Sequence, residues 1–502
     1  MTLIDLTGSR ATESPVHESL TIPASSAGSE LYSRIVTTEA VIAVVGLGYV
    51  GIPLAVSYAE AGFRVVGIDL DARRVAVIRG GHSPVEDISD ERIAALSVSM
   101  PELFAHRNYD QDPHPYPERG HAGLLYATSD FDLIASADVV IICVPTPVSH
   151  AKDPDISCIR AVTAEIAHRL RPGMLVVLES TTYPGTTEEV MLPLLEHPAS
   201  VGHYRHGDVT DTPRSSFVVG RDFFLAFSPE RIDPGRTDFD VRTTPKVVGG
   251  TTPACLHLAT TLYGIIVDKV VPVSQTKVAE LVKLLENTFR CVNIGLVNEL
   301  AKWCDHLGVD VWEVVEAAAT KPFGFMSFRP GPGLGGHCIP VDPHYLAWKL
   351  RELGQPAQFI QLAAEINESM PRHVMNKVRD ALNEDAKSVK NARVLVLGVA
   401  YKPNISDVRE SPALDLIRLL LADGAAVSFS DPYVSEITVD GTTLTCVPMD
   451  DDILRSADCV VIETDHAAFQ WDQVARECRV VVDTRNAMSN VADLGRVRIV
   501  KL

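Results

Sequence analysis

A short apolar run that leads into a glycine-rich turn restricts the fold of this chain more than any other feature. The run and the turn read Val41-Ile42-Ala43-Val44-Val45 and Gly46-Leu47-Gly48-Tyr49-Val50-Gly51. An unbroken apolar, β-branched run is typical of a strand buried on both faces. In the spacing GxGxxG the first glycine allows a tight turn, the second lets the backbone approach a pyrophosphate, and the third lets a helix pack closely on the strand. The pattern predicts a βαβ unit that binds a dinucleotide, and the alternative is a glycine-rich packing turn.

The acidic residue that follows the turn indicates which dinucleotide is bound. A second apolar run, Val65-Val66-Gly67-Ile68, ends at Asp69. An acidic side chain about 20 positions after the glycines is what binding of a ribose 2′-hydroxyl requires. We therefore expect NAD rather than NADP as the cofactor, although Arg74 nearby is of a type that can accept a 2′-phosphate.

Further apolar runs repeat this pattern and predict two α/β domains. Runs at 139–142 and 175–178 extend the first parallel sheet, and a second series occupies 393–398, 427–431, 459–462 and 480–483. Between the two series, 275–307 has apolar residues at intervals of three and four and no proline. That spacing predicts one helix of roughly 50 Å, at about 1.5 Å per residue. The expected fold class is α/β, with two Rossmann-like doubly wound domains joined by a long central helix.

These patterns divide the chain into four stretches. The polar, aperiodic stretch at 1–38 predicts a flexible tail. We then expect a dinucleotide-binding domain at 39–245 with a polar surface insertion at about 197–219, a central helical region at 246–385, and a second Rossmann-like domain at 386–502.

Composition excludes several functional classes. A formal net charge of −20 disfavours nucleic acid as the main partner, because a polyanion would be repelled. No apolar run reaches the roughly 18 residues that span a bilayer, and the N-terminus lacks the pattern of a secretory signal. The nine cysteines show no paired spacing, which argues against a zinc site. We expect a reduced, cytoplasmic protein without a metal and without a membrane partner.

A rigid loop at 331–343 carries the chemically most suggestive residues. It reads Gly-Pro-Gly-Leu-Gly-Gly-His-Cys-Ile-Pro-Val-Asp-Pro, and its four glycines and three prolines preclude regular helix or strand. A thiol at Cys338, in a protein with a dinucleotide site, suggests covalent catalysis in which the thiolate attacks an aldehyde carbon. The alternative is a buried cysteine that acts as a small hydrophobic residue. His337 is interpreted as a packing or hydrogen-bonding residue rather than as a base.

Two polar residues interrupt the apolar pattern of the central helix. Lys283 and Asn287 are four positions apart, so they lie on one helix face. A lysine and an asparagine in this arrangement could stabilise an oxyanion formed during carbonyl chemistry. The alternative is a lysine that extends to solvent.

Seven segments together resemble the UDP-glucose/GDP-mannose dehydrogenase superfamily over about residues 40–500. They are GLGYVGIPLA (46–55), VPTP (144–147), ESTTYPGTT (179–187), FSPERIDPG (227–235), KLLEN (283–287), PGPGLGGHCIPVDP (330–343) and YKPNISDVRESPA (401–413). The resemblance implies an N-terminal NAD domain, a C-terminal domain that binds the UDP part of the substrate, and a homodimer or higher homo-oligomer whose subunits meet along the central helix. It also implies a four-electron oxidation of a sugar C6 hydroxyl through a cysteine thioester.

The resemblance assigns roles to individual residues. Cys338 corresponds to the nucleophile, Asp342 to a carboxylate that helps to activate water, and Glu230 to a carboxylate that assists the hydrolytic proton transfers. Lys283 and Asn287 correspond to the oxyanion stabilisers. The cofactor contacts implied are Gly46, Gly48, Tyr49, Val50, Gly51, Asp69, Arg74, Thr146, Thr181 and Arg409, and either threonine can instead order a catalytic water. The substrate contacts implied are Arg231, Gly331, Gly333, Gly335, Gly336 and Lys402.

Two departures from the glucose-type pattern concern the sugar. The chain reads GGHCIPVD where glucose-type members usually read GGSCFPKD, and Glu230 is followed four residues later by Pro234 rather than by a second glutamate. Both resemble the branch that acts on UDP-N-acetylglucosamine or UDP-N-acetylmannosamine, and FRPGPGLGGHCIPVDPHYLAWK favours the glucosamine type. The alternatives are a UDP-glucose 6-dehydrogenase, a two-electron 3-hydroxyacid dehydrogenase without a thiol, and a non-catalytic nucleotide-binding scaffold.

Overall fold

A computed structural model describes residues 26–85, 87–104, 123–149, 152–197, 216–232, 238–336 and 338–502 of the chain. The chain divides into two compact units, with the boundary between Leu284 and Leu285. His337 and most of the predicted insertion at 197–219 lie outside the described residues. In the described part of the chain, no helix combines the length and the apolar character needed to cross a membrane.

The N-terminal unit is built on one eight-stranded sheet in the order β3-β2-β1-β4-β5-β6-β7-β8. Its strands are β1 Val41–Val45, β2 Arg64–Ile68, β3 Leu124–Thr128, β4 Val139–Ile142, β5 Leu175–Leu178, β6 Phe224–Phe227, β7 Lys246–Gly250 and β8 Val270–Val273. Neighbouring strands run parallel except at β6 and β7, which pair antiparallel. The order outwards from β1 in both directions is that of a doubly wound sheet.

Helices cover both faces of this sheet. They are α1 Ser26–Val36, α2 Gly51–Glu60, α3 Ala72–Arg79, α4 Asp90–Leu96, α5 Met100–Phe104, α6 Ser157–Arg169, α7 Leu192–Glu196 and α8 Pro253–Tyr263, with a 3₁₀ turn at Phe131–Ser136 and a π turn at Thr187–Met191. Alternate residues of β1 serve the two cores: Ile42 and Val44 pack with α2 and α8, whereas Val41, Ala43 and Val45 pack with α6. Burial on both faces is the reason that the sequence of β1 is continuously apolar.

The structure corrects two sequence-based boundaries. Within the predicted tail, α1 is an ordered helix whose Leu31 and Ile35 are buried, and its Tyr32 ring stacks on His257 of α8 at 5.2 Å between centroids. The sequence analysis did not predict this short amphipathic helix, because it lies in a mostly polar stretch. At the other end, β7 and β8 continue the first sheet beyond residue 245, because β7 reverses direction and hydrogen-bonds to β6.

A single long helix, α9 Thr276–Leu307, follows β8, as the spacing of apolar residues predicted. The C-terminal unit contains the later turns of α9 and a five-stranded parallel sheet in the order β10-β9-β13-β14-β15. The strands are β9 Arg393–Leu397, β10 Ala426–Ser430, β13 Cys459–Ile462, β14 Val480–Asp483 and β15 Arg498–Lys501, and β11 Glu436–Val439 pairs antiparallel with β12 Thr442–Thr445. The helices are α10 Val311–Ala319, α11 Asp342–Glu352, α12 Gln358–Glu368, α13 Met370–Glu384, α14 Pro412–Ala422, α15 Asp451–Ser456 and α16 Trp471–Glu477, with a 3₁₀ turn at Ala487–Asn490. The predicted fold class, two Rossmann-like domains and a central helix, is confirmed.

Candidate active site

The glycine turn after β1 has the geometry of a dinucleotide site. Gly46 has a φ of +95°, and a Cβ there would lie 2.4 Å from the carbonyl oxygen of Cys143. A Cβ on Gly51 would lie 1.8 Å from the carbonyl oxygen of Gly46, so α2 can start close to the strand only with glycine at this position. A Cβ on Gly48 would have nothing within 4 Å. The backbone at Gly48 is therefore open to a ligand, and the turn fits the pyrophosphate of NAD.

Asp69, at the end of β2, holds this turn in place. Its Oδ2 accepts hydrogen bonds from the backbone N–H of Leu47 at 2.8 Å and from Arg74 Nη1 at 2.8 Å, and its Oδ1 accepts from the N–H of Asp71 at 2.8 Å. A carboxylate has about four acceptor positions, so capacity remains for a ribose hydroxyl. Arg74 is engaged with Asp69, and the negative charge beside it disfavours the 2′-phosphate of NADP.

The two threonines lie at the same edge of the sheet as this turn. Thr146 follows β4 and Thr181 follows β5, and both side chains are half-buried. Since β1, β4 and β5 are parallel neighbours, their carboxyl ends meet at one edge. Ligands of open α/β sheets bind at that edge, so the positions of Thr146 and Thr181 are compatible with contacts to the cofactor or to a water beside it.

Glu230 follows β6 and is a buried carboxylate with several donors around it. Its Oε1 accepts from the backbone N–H groups of Arg231 and Ile232, both at 2.7 Å, and its Oε2 accepts from Lys246 Nζ at 3.0 Å. Lys283 Nζ donates to the main-chain oxygen of Glu230 at 2.9 Å. Lys283 is thus directed to this cluster and not simply to solvent.

Lys246 joins Glu230 to a second buried carboxylate, Glu179. Lys246 Nζ lies 2.9 Å from Glu179 Oε2, and the Tyr263 hydroxyl donates to Glu179 Oε1. Burial raises the pKa of Glu179 above its usual value, against the opposing effect of Lys246. Burial also works against ionisation of Glu230, but Lys246, the N–H of Ile232 and Lys283 outweigh it and hold the pKa of Glu230 below its usual value.

Arg231 was predicted to contact the substrate, and the structure places it beside this cluster. Its backbone N–H donates to Glu230, and its Nη1 donates to the carbonyl oxygen of Pro245 at 2.6 Å. Arg231 thus links the beginning of the connection between β6 and β7 to its end. A substrate contact by this side chain stays a prediction.

The thiol loop of the C-terminal unit brings three of the predicted catalytic residues together. The carbonyl oxygen of Cys338 accepts hydrogen bonds from the N–H groups of Val341 and Asp342, at 3.1 and 2.8 Å, so Cys338 and Asp342 bound one tight turn at the start of α11. Asn287 Nδ2 of α9 donates to Asp342 Oδ2 at 2.5 Å. Asp342 is 2% exposed, whereas Cys338 is partly exposed. The arrangement places a partly exposed cysteine and a buried carboxylate, held by Asn287, at the two ends of one tight turn.

Buried amides and a tyrosine determine the path of the glycine-rich segment before Cys338. The N–H of Gly331 donates to Asn298 Oδ1 of α9 at 2.9 Å, and the N–H of Gly336 donates to the carbonyl oxygen of Arg409 at 3.0 Å. Cβ atoms on Gly335 and Gly336 would lie 2.5 and 2.8 Å from Tyr401, so these positions require glycine. The glycines thereby let the segment pass close to the loop that carries Lys402 and Arg409.

The two predicted cations of that loop are accessible to different degrees. Lys402 is half-buried, with Nζ 6.0 Å from the centre of the Tyr401 ring. Arg409 is half-exposed, and its guanidinium pairs with Asp407 at 2.6 Å. A contact between Lys402 and the substrate and one between Arg409 and the cofactor stay predictions.

Comparison with known proteins agrees with this geometry. Residues 40–117 and 87–267 match the NAD-binding domain of the UDP-glucose/GDP-mannose dehydrogenase family, residues 277–369 match its central domain, and residues 395–490 match its UDP-binding domain. The chain is 35% identical over 395 residues to the UDP-N-acetyl-D-glucosamine 6-dehydrogenase of Pseudomonas aeruginosa, an alignment that covers 78% of this chain and 83% of that protein. It is 32% identical over 453 residues to the NDP-N-acetyl-D-galactosaminuronic acid dehydrogenase of Ralstonia solanacearum, over 89% of this chain and 96% of that protein.

A solved structure gives the same result. The UDP-D-ManNAc dehydrogenase of Pyrococcus horikoshii aligns with a TM-score of 0.74 at 31% identity, over 92% of this chain and 98% of that chain. The chain belongs to the UDP-glucose/GDP-mannose dehydrogenase family. It is an NAD-dependent nucleotide-sugar dehydrogenase, and the cofactor prediction is confirmed.

In the UDP-binding domain, the carboxylate that follows the second strand of the sheet is hydrogen-bonded to other groups of the same domain. Asp431, after β10, accepts from the N–H of Val399 at 2.7 Å, as Asp69 does from Leu47 in the NAD domain. The N–H of Asn404 donates to His466 Nδ1 at 2.9 Å, so His466 carries its proton on Nε2 and donates it to Asp431 at 3.1 Å. A buried histidine thus contacts the carboxylate at the position where a dinucleotide domain would present it to a ribose.

The sequence analysis missed several residues of the dehydrogenase site. Glu179 and Lys246 are charged residues at the ends of apolar strands, and such interruptions were the signal that could have revealed them. Asn298 interrupts the apolar pattern of α9 in the same way as Asn287. Arg485 follows β14, and its Nη1 lies 2.7 Å from the position that a Cβ would take on Gly331. A cation therefore lies next to the glycine-rich segment for which substrate contacts were predicted.

Proposed function

We propose that this dehydrogenase oxidises the C6 hydroxyl of a UDP-N-acetylhexosamine to a carboxylate, in two hydride transfers to NAD⁺, through a thioester on Cys338. The observation that carries the proposal is the tight turn with the partly exposed Cys338 at one end and Asp342 at the other, with Asn287 bonded to the Asp342 carboxylate. A two-electron dehydrogenase has no use for this arrangement, and a non-catalytic scaffold would not need it.

Each step is assigned to residues of this chain. NAD⁺, when bound at the glycine turn, supplies the hydride acceptor for both oxidations. The first oxidation transfers one hydride from the alcohol to NAD⁺, releases the hydroxyl proton to water and gives an aldehyde. The Cys338 thiolate then forms a C–S bond at the aldehyde carbon and gives a thiohemiacetal oxyanion, which Lys283 and Asn287 stabilise, and loss of a second hydride from this oxyanion leaves the thioester. Water attacks the thioester carbon beside Asp342, the C–S bond breaks, and the carboxylate and the free thiol are released.

The choice of sugar rests on residues around the thiol and on the relatives. GGHCIPVD and the absence of a second glutamate after Glu230 favour an N-acetylhexosamine over glucose. Relatives are named for the glucosamine, mannosamine and galactosaminuronic substrates. We favour UDP-N-acetylglucosamine, because the segment FRPGPGLGGHCIPVDPHYLAWK resembles that type and the relative of that name is 35% identical.

We further propose that the enzyme is a cytoplasmic homodimer, or a higher homo-oligomer, that assembles along α9. Seven large apolar side chains of this helix are exposed: Val278, Leu281, Leu285, Phe289, Leu296, Trp303 and Leu307. Exposed apolar surface of this kind marks an interaction site more often than it remains in water. All nine cysteines are free thiols, which is compatible with a reducing compartment.

The test is an incubation of the purified protein with NAD⁺ and a panel of UDP-sugars, in which NADH absorbance and the uronate product are both measured. UDP-N-acetylglucosamine should give the highest kcat/KM and two NADH per uronate. UDP-N-acetylmannosamine, UDP-N-acetylgalactosamine and UDP-glucose are the comparators. One NADH per product would refute the thioester route, and a higher kcat/KM with another sugar would refute the choice of substrate.

A further inference from the structure

A buried cluster of three charged residues lies under Lys283. Lys246 is 5% exposed, Glu179 1% and Glu230 8%, and Lys246 Nζ bridges one oxygen of each carboxylate at 2.9 and 3.0 Å. Two carboxylates and one ammonium carry a net charge of −1 when all are ionised. Buried charges are costly unless they are paired and hydrogen-bonded, so this cluster is not ordinary core packing.

The two carboxylates of the cluster are not equivalent. The Glu230 carboxylate accepts hydrogen bonds from two backbone N–H groups in addition to Lys246, and its main-chain oxygen accepts one from Lys283 Nζ. Among the described residues, the Glu179 side chain accepts hydrogen bonds from Lys246 Nζ and from the Tyr263 hydroxyl and from no backbone N–H group. The negative charge of the cluster is therefore stabilised mainly on Glu230, the carboxylate nearer to Lys283.

We propose that Lys246 is a positioning residue that keeps the Glu230 carboxylate ionised and fixed beside Lys283 throughout turnover, so that Glu230 acts as a constant negative charge and not as a proton carrier. The inference deepens the proposed function, on which it rests. Two N–H groups on Oε1 and an ammonium on Oε2 all stabilise the ionised form of Glu230, so its protonation would weaken three existing interactions. The fixed charge then helps to hold the Lys283 side chain, whose Nζ donates to the main-chain oxygen of Glu230, in the position from which it can stabilise an oxyanion.

The charged and titratable groups that face Glu230 come from every element packed around it. They are Lys246 of β7, Lys283 of α9, Glu179 after β5, Cys143 after β4 and, further along the cluster, Tyr263 of α8. The two lysines favour the ionised form of Glu230, and Glu179 disfavours it. An opposite charge within hydrogen-bonding distance shifts the pKa of a carboxyl by about 1–3 units, so loss of Lys246 should dominate over loss of Glu179.

The experiment compares pH profiles of kcat for Lys246→Met, Lys246→Arg and Glu179→Gln with that of the wild type, on whichever UDP-sugar the wild type oxidises. Lys246→Met should raise the pKa of Glu230, so that kcat falls about tenfold or more near pH 6 and recovers as the pH rises towards 9. Lys246→Arg should restore the wild-type profile. Glu179→Gln removes a partner from the same cluster but should not raise the acid limb of the profile, because it removes a negative charge.

Stability controls keep the test decisive. If Lys246→Met does not fold, the double variant Glu179→Gln/Lys246→Met removes one charge of each sign and keeps the net charge at −1. Its acid limb should still lie about one pH unit or more above that of Glu179→Gln alone. A uniform loss of kcat at all pH values, or equal profiles for Lys246→Met and Glu179→Gln, would overturn the inference. The wild type alone tests the proposed function, so failure of one is not mistaken for failure of the other.

Discussion

Gly48→Ala and Gly51→Ala form a matched pair that separates cofactor binding from stability. Both add one methyl group to the same turn. A Cβ on Gly48 would have nothing within 4 Å, whereas a Cβ on Gly51 would lie 1.8 Å from the oxygen and 2.9 Å from the carbon of the Gly46 carbonyl. We therefore expect Gly48→Ala to lose NAD⁺ and keep the fold, and Gly51→Ala to destabilise the N-terminal unit.

The magnitudes follow from these distances. Overpacking of a tight contact costs about 1–3 kcal/mol, and the upper end applies to Gly51 because the obstacle is backbone. In a unit of this size about 1 kcal/mol corresponds to about 2 °C, so Gly51→Ala should lower Tm by about 6 °C or more. At Gly48 a methyl group would stand where the pyrophosphate approaches, and loss of one hydrogen bond to a charged group costs about 1.5–3 kcal/mol. The Kd for NAD⁺ should rise at least about tenfold.

Thermal unfolding of the protein without cofactor and calorimetric titration with NAD⁺ measure the two effects. Gly48→Ala should unfold within about 2 °C of the wild type, since alanine also restricts the unfolded chain slightly. NAD⁺ affinity within twofold of the wild type for Gly48→Ala would refute the assignment of the open backbone to the pyrophosphate. An equal loss of Tm in both variants would refute the steric argument.

Three further predictions concern single side chains. Asp69→Ala should narrow the preference for NAD⁺ over NADP⁺ in kcat/KM. It should also weaken NAD⁺ binding about tenfold, because the N–H of Leu47 loses its acceptor. Asp69→Asn keeps an acceptor and should bind NAD⁺ better than Asp69→Ala, and the reverse order would contradict this. Cys338→Ala should abolish uronate formation without loss of NAD⁺ binding. Cys338→Ser should accumulate a covalent sugar adduct that intact-protein mass spectrometry detects. A near-normal kcat of Cys338→Ala would exclude the thioester. Glu463 is 1% exposed, neither of its carboxylate oxygens has a hydrogen-bond partner among the described residues, and burial raises its pKa to about 8. The folded chain therefore binds the Glu463 proton more tightly than the unfolded chain, and this group lowers the free energy of unfolding as the pH rises from about 4.5 to about 8. Glu463→Gln should have a higher Tm than the wild type at pH 9 but not below pH 4.5. A difference in Tm that does not depend on pH would contradict this.

Features that depend on local spacing could be predicted from the amino-acid sequence alone. The apolar runs, the glycine turn and Asp69 predicted the NAD domain, because strand period, turn glycines and the distance to the second strand are encoded within about 30 residues. The thirty-two residues of α9 were predicted almost to their ends from periodicity alone. The irregular loop that carries Cys338 was foreseeable for the same reason, since the glycines and prolines of 331–343 disfavour regular helix and strand.

Which charged residues come into contact depends on how the strands are arranged in the folded protein. Lys246 is 67 residues from Glu179 and 16 from Glu230, and nothing in the local pattern joins them. They meet because β7 runs antiparallel to β6, so the first residue of β7 lies at the edge where the parallel strands end. The same reversal extends the sheet past residue 245. Burial then decides the charge states. Glu463, a buried carboxylate without a hydrogen-bond partner in the described part of the chain, has a raised pKa, whereas Glu230, which accepts two N–H groups and an ammonium, is held ionised.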